Sequence, residues 1–126
     1  MPNERERRKT RSSEIFRALG LQLSSCREDA SLDAMVLSDE DGLCLAASGP
    51  ESTCQELAAT LPLIGRKAGD FSGVLLAPGG GMSAMVQRFR VDSAELYMCA
   101  LGGDEDLRAR QIARSIRGCA RILASG

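Results

Sequence analysis

The stretch Leu32-Asp33-Ala34-Met35-Val36-Leu37-Ser38, then Asp39-Glu40-Asp41-Gly42, then Leu43-Cys44-Leu45-Ala46-Ala47-Ser48 decides the fold. Asp41-Gly42 is a hairpin signal, because glycine accepts the positive φ that a tight turn requires. The two flanking segments are apolar with little alternation. A strand with one wet face alternates, so this pair predicts a sheet covered on both sides.

The segments around the hairpin supply that cover. Upstream, Ile15, Phe16, Leu19, Leu23 and Cys26 recur at helical spacing. That helix is expected to start near Ser12 or Ser13, either of which can cap it, with Glu14 in the first turn. Gly20 weakens the helix without ending it. Downstream, Glu51 to Gly69 reads as a second helix. Cys54, Leu57, Ala58, Leu61 and Ala68 lie on one side, Ile64 near them, and Ser52 or Thr53 is the expected cap. Pro62 lacks an N–H and crowds the carbonyl one turn back, which predicts a kink or restart. Gly65 and Gly69 offer small surfaces for close approach by another backbone.

Three more strands and a helix complete the chain. Gly73 to Ala77 is a short strand ended by Pro78, and Gly79-Gly80-Gly81 is a turn. Met82 to Val91 is longer, with Met85, Phe89 and Val91 on one face and Arg88 and Arg90 on the other. After Asp92-Ser93-Ala94, Glu95 to Leu101 is apolar on both faces and so central. Asp104 or Asp106 caps the last helix, whose expected buried stripe is Ala109, Ile112, Ala113, Ile116, Ala120 and Leu123. The order α-β-β-α-β-β-β-α predicts an α/β domain: a five-stranded, mainly antiparallel sheet with helices on both faces. A short third strand leaves an edge that dimerisation would cover.

Composition narrows function. The 126 residues make one domain, read as residues 12–126 behind a disordered basic tail, residues 1–11. Aromatics are 3%, so aliphatic side chains must build the core. Histidine is absent, which removes the commonest general base and metal ligand and excludes Ser-His-Asp or Cys-His catalysis. Net charge is −1, so global charge predicts no nucleic-acid or membrane partner. No signal peptide or membrane span is evident, which places the chain in the cytoplasm.

Several constellations have ordinary readings. The triple glycine lacks the Gly-Lys-Ser/Thr of a phosphate loop and precedes a strand. Asp39, Glu40 and Asp41 lack the spacing and distal carboxylate of a calcium loop. The five cysteines, Cys26, Cys44, Cys54, Cys99 and Cys119, read as small buried hydrophobes. A nucleophile at Cys44 or Cys99 would need a thiolate, and strand placement predicts an inert thiol. Arg110, Arg114, Arg117 and Arg121 share one face of the last helix, flanked by Arg108. That face is either solvated or a dock for an acidic partner or phosphates.

The pieces Leu32 to Leu43, Gln55-Glu56-Leu57-Ala58-Ala59, Glu95-Leu96-Tyr97-Met98-Cys99-Ala100-Leu101-Gly102 and the closing amphipathic helix resemble the Roadblock/dynein light chain superfamily in its bacterial GTPase-regulator form. The resemblance runs from Leu32 to Ala124. It implies a homodimer or heterodimer, read here as a homodimer, without enzymatic activity or cofactor, that binds a small Ras-like GTPase as an activator or scaffold. In that family two second helices pair into a platform and the sheets join across the dimer. By position Glu51, Gln55, Glu56, Thr60, Arg66 and Lys67 would face the platform or its rim. A small-molecule sensor or a scaffold indifferent to GTPases remains the alternative.

Overall fold

The computed structural model describes the backbone of residues 4–77 and 80–125, and the side chains of residues 12–75 and 80–124. The elements are α1 (Glu4–Asp29), β1 (Ala34–Asp39), β2 (Cys44–Ser48), α2 (Glu51–Ala68), β3 (Asp70–Ala77), β4 (Gly80–Val91), β5 (Ala94–Leu101) and α3 (Glu105–Ser125). Their order is the predicted one. The strands form one antiparallel sheet in the order β2-β1-β5-β4-β3.

The pleat sends alternate residues of β1 and β5 into two separate cores. Met35 and Leu37 of β1, with Leu96, Met98 and Ala100 of β5, meet Leu19, Leu23 and Cys26 of α1 and Ile112 and Cys119 of α3. Ala34 and Val36, with Tyr97, Cys99 and Leu101, meet Cys54, Leu57, Ala58 and Leu61 of α2. Near-continuous apolarity in both strands follows directly, because neither face touches water. Burying one leucine in such a core stabilises by about 2–5 kcal/mol relative to alanine. β5 is central, as its two-sided apolarity predicts. β2 is an edge strand instead, with Cys44, Leu45 and Ala47 only partly buried.

Several local expectations are corrected. α1 begins at Glu4, two turns before Ser12, so the backbone of residues 4–11 continues the helix; residues 1–3 lie outside the described residues. Phe16 is exposed rather than part of the α1 stripe. Neither Ser52 nor Thr53 caps α2: Pro50 occupies that position and makes no side-chain cap bond. The Pro50 carbonyl accepts the Cys54 N–H at 3.0 Å and so opens the helix. α2 is a single helix through Pro62, whose ring is buried, and Ala68 is exposed. β3 starts at Asp70 and β4 at Gly80, so both strands are longer than expected; Pro78 and Gly79 lie outside the described residues.

Two glycines set helix positions. Gly65 faces the molecule's own sheet: a β-carbon there would lie 2.3 Å from the Tyr97 ring. Its small surface serves intramolecular packing and not a partner's backbone. Gly42, at φ +82°, lets the hairpin turn lie on α2, where a β-carbon would sit 3.2 Å from the Ala59 Cα. In α3, Asp104 is the cap, its carboxylate accepting the Leu107 N–H at 3.1 Å. The α3 stripe is displaced from expectation. Ala109 and Ala113 are exposed, while Arg108, Ile112, Ser115 and Cys119 are buried.

Candidate functional site

The outer face of α2 is the broadest candidate surface. Seven residues turn inward: Thr53, Cys54, Leu57, Ala58, Leu61, Pro62 and Gly65. The opposite side carries Glu51, Gln55, Glu56, Ala59, Thr60, Leu63, Arg66 and Lys67, all exposed. All six α2 residues named from the sequence therefore lie on this outer side. Leu63, in the C-terminal half of the helix, is 64% exposed. A leucine ringed by polar residues on a helix with no cover is a feature of an interaction face. Neither composition nor stripe counting singles it out, because its exposure follows from helix rotation.

The acidic turn abuts this helix. Asp39 Oδ1 accepts the N–H groups of Asp41 (2.9 Å) and Leu43 (3.0 Å), so that carboxylate shapes the turn. Arg66 donates to the Glu40 carbonyl and ties the turn to the end of α2. Next to it, Tyr97 donates its hydroxyl to Glu95 Oε2 at 2.8 Å. Glu95 Oε1 lies 3.8 Å from Arg88 Nε and 3.7 Å from Arg90. Burial and the bond to Glu95 push the Tyr97 phenol above its ordinary value, and nearby Arg66 opposes the shift. Residues far apart in the chain thus converge at the C-terminal end of α2.

The predicted basic face of α3 is brought only partly to the surface as a unit. Arg110, Arg117 and Arg121 are exposed. Arg114 turns to α1, where it pairs with Asp29 and donates to Ser25 Oγ at 3.2 Å. Arg108 is 6% exposed and donates to the Gly102 and Gly103 carbonyls at 2.8 and 2.7 Å. It braces the β5–α3 corner and takes no part in a basic face.

No cluster of three or more potential metal ligands occurs among the described residues. All five cysteines are free thiols. Burial first, and then neighbouring Cys54, pushes Cys99 up to about 12. Burial likewise raises Cys44, which keeps it protonated. Neither thiol is activated, as their strand placement predicts. A cavity of about 440 Å³ lies at the opposite face, floored by Leu45, Val91, Leu96 and Leu123 with Asp39 and Asp92 on its wall. The aliphatic composition gives no sign of it. It opens where the β4–β5 turn passes the end of α3.

The fold and the exposed α2 face define a class of architecture: the chain has the Roadblock/LC7 fold. Among solved structures it is similar to Myxococcus xanthus MglB, with TM-score 0.66 and 13% identity over 87% of this chain and 90% of that one. The gliding protein MglB of Thermus thermophilus superimposes with TM-score 0.66 and 12% identity, over 89% of this chain and 93% of that one. A Roadblock/LC7 domain from Streptomyces avermitilis gives TM-score 0.60 and 18% identity, over 82% and 96%. No protein-family model and no curated protein matches the sequence. No helix among the described residues is long and apolar enough to cross a membrane.

Proposed function

We propose that this protein is a cytoplasmic, non-enzymatic homodimeric regulator or scaffold that binds a small Ras-like GTPase and modulates its nucleotide cycle. The observation that carries the reading is the uncovered face of α2, which exposes Leu63 together with Glu51, Gln55, Glu56, Thr60, Arg66 and Lys67. Likeness to MglB structures supports it, one of them solved in a tetrameric arrangement. Two copies pair through Leu63 on this face, leaving Arg66 and Lys67 at its open rim, and the exposed edge of β3 offers a second seam.

The mechanism is population shift. A dimer that binds one nucleotide state of the GTPase more tightly stabilises that state by its differential affinity. Activation, where it occurs, comes from repositioning the GTPase's own residues or excluding water from its site. No arginine here is singled out as a finger. The test is capture from native cytoplasm on the immobilised full chain, with GDP and with a non-hydrolysable GTP analogue. Nucleotide-dependent recovery of a small GTPase is the expected result; a dimer recovering none in either state overturns the reading.

A second reading rests on the cavity bounded by Leu45, Val91, Leu96 and Leu123, whose volume lies within the range of ligand pockets. It would make the chain a small-molecule sensor. A saturable thermal shift with a metabolite, without any GTPase capture, would favour it.

A further inference from the structure

We infer that Arg88 and Arg90, with Arg66 beside them, form a docking surface for an acidic patch on a protein partner. Glu95 is its internal stand-in for the partner's carboxylate. The pleat places Arg88 opposite Tyr97 and Arg90 opposite Glu95, on the α2 side of the sheet. Both arginine side chains are open, 43% and 69% exposed, whereas Glu95 is 17% exposed. One carboxylate therefore faces two guanidiniums at 3.7–3.8 Å, outside hydrogen-bond length, while its other oxygen is held by Tyr97. Arg66 and Lys67 add positive charge along the rim. Asp39 spends one carboxylate oxygen on its own turn, and Glu40 meets Arg66 through its carbonyl, so neither neutralises Arg88 or Arg90 by a direct pair among the described contacts.

The location selects the partner's chemistry. The patch lies at the C-terminal end of α2, where the helix dipole favours the cationic side chains of Arg66 and Lys67 in the last turn. The Gly69 N–H is spent on the Gly65 carbonyl at 2.8 Å and the Arg88 N–H on the Gly69 carbonyl at 3.0 Å, so neither is open to a small anion. Long, exposed arginines suit instead a spread of carboxylates on a protein surface, engaged at the rim and steering its approach. This inference goes beyond the nucleotide-dependent reading and does not require the partner to be a GTPase.

The chain reports on its own site. Tyr97 is the single tyrosine and tryptophan is absent, so intrinsic fluorescence reads the Glu95 network directly. Polyglutamate, which is optically silent, is titrated into the full chain at neutral pH and low salt. A saturable change in Tyr97 emission is expected, with a midpoint that rises with ionic strength. The double substitution Arg88→Glu, Arg90→Glu should weaken binding about tenfold. Glu95→Gln keeps an acceptor for Tyr97 but removes the competing charge, and should tighten binding about threefold. Arg110→Glu with Arg117→Glu, on the far side of the sheet, should leave it unchanged. Absence of a saturable change, wild-type affinity in the double variant, weakening by Glu95→Gln, or a stronger response to inorganic pyrophosphate or duplex DNA would each overturn the inference. Failure of GTPase capture would leave it standing.

Discussion

Gly65 lies directly over the ring of Tyr97: a β-carbon at position 65 would stand 2.3 Å from two ring carbons. No atom pair tolerates that separation, so α2 owes its height above the sheet to one missing methyl group. Gly65→Ala sets two effects against each other. Alanine gains about 1 kcal/mol of helix propensity over glycine. Forcing the helix off the buried ring costs about 1–3 kcal/mol. Because Tyr97 is fully buried and pinned by Glu95, overpacking wins. Urea denaturation should show a net loss of up to about 2 kcal/mol; a gain would mean that the ring yields.

Stability should fall as pH rises above about 9. Cys99 and Cys119 are pushed by burial up to about 12 from an ordinary 9.0. Between these values the unfolded chain releases the thiol protons and the native state keeps them. The unfolded state then binds fewer protons, so stability falls with pH. Tyr97 is also raised and acts in the same direction from its ordinary 10.0 upward. Urea midpoints across this alkaline range should decline, and Cys99→Ala with Cys119→Ala should flatten the slope. A flat profile in the wild-type chain would refute the assignment.

Leu63 separates folding from association. At 64% exposure it contributes little to the protomer core. Leu63→Glu should therefore leave the circular dichroism spectrum intact, with stability changed by less than about 0.5 kcal/mol. In sedimentation the variant should run as a monomer where the wild-type chain is dimeric. Dimers of unchanged strength would move the interface away from α2.

Two neighbouring arginines on α3 should behave differently. Arg108→Ala removes hydrogen bonds to two carbonyls at the β5–α3 corner. Charged hydrogen bonds of this kind contribute about 1.5–3 kcal/mol each, so a loss of at least about 3 kcal/mol is expected. Arg110→Ala, at an exposed position, should change stability by less than about 0.5 kcal/mol. Equal effects in thermal or urea unfolding would contradict the burial difference.

The contrast between Arg108 and Arg110 shows where sequence reading stops. Periodicity locates α3, and Asp104 marks its start. It does not set the rotation of the helix within one residue, because Ala109 and Ala113 are apolar enough for either side. The buried guanidinium finds its partners only once β5 ends in two glycines with positive φ, at Gly102 and Gly103. In α2 the rotation is legible: Cys54, Leu57, Ala58 and Leu61 of the expected stripe are buried, and Glu51, Gln55, Glu56, Thr60, Arg66 and Lys67 are exposed. Pro62 misleads, since a proline on the buried side need not break a helix already held by core contacts.

The order of elements, the hairpin at Asp41-Gly42 and the two-sided burial of β1 and β5 were determined by the sequence alone. Those features are local or follow from alternation, and short-range sterics and apolar patterning dictate them. Long-range pairing decided the rest: the edge position of β2, the close seat of Gly65 on Tyr97 and the gathering of Arg66, Arg88, Arg90 and Glu95. Such contacts join residues on different elements. They depend on strand order and register, which no single segment encodes.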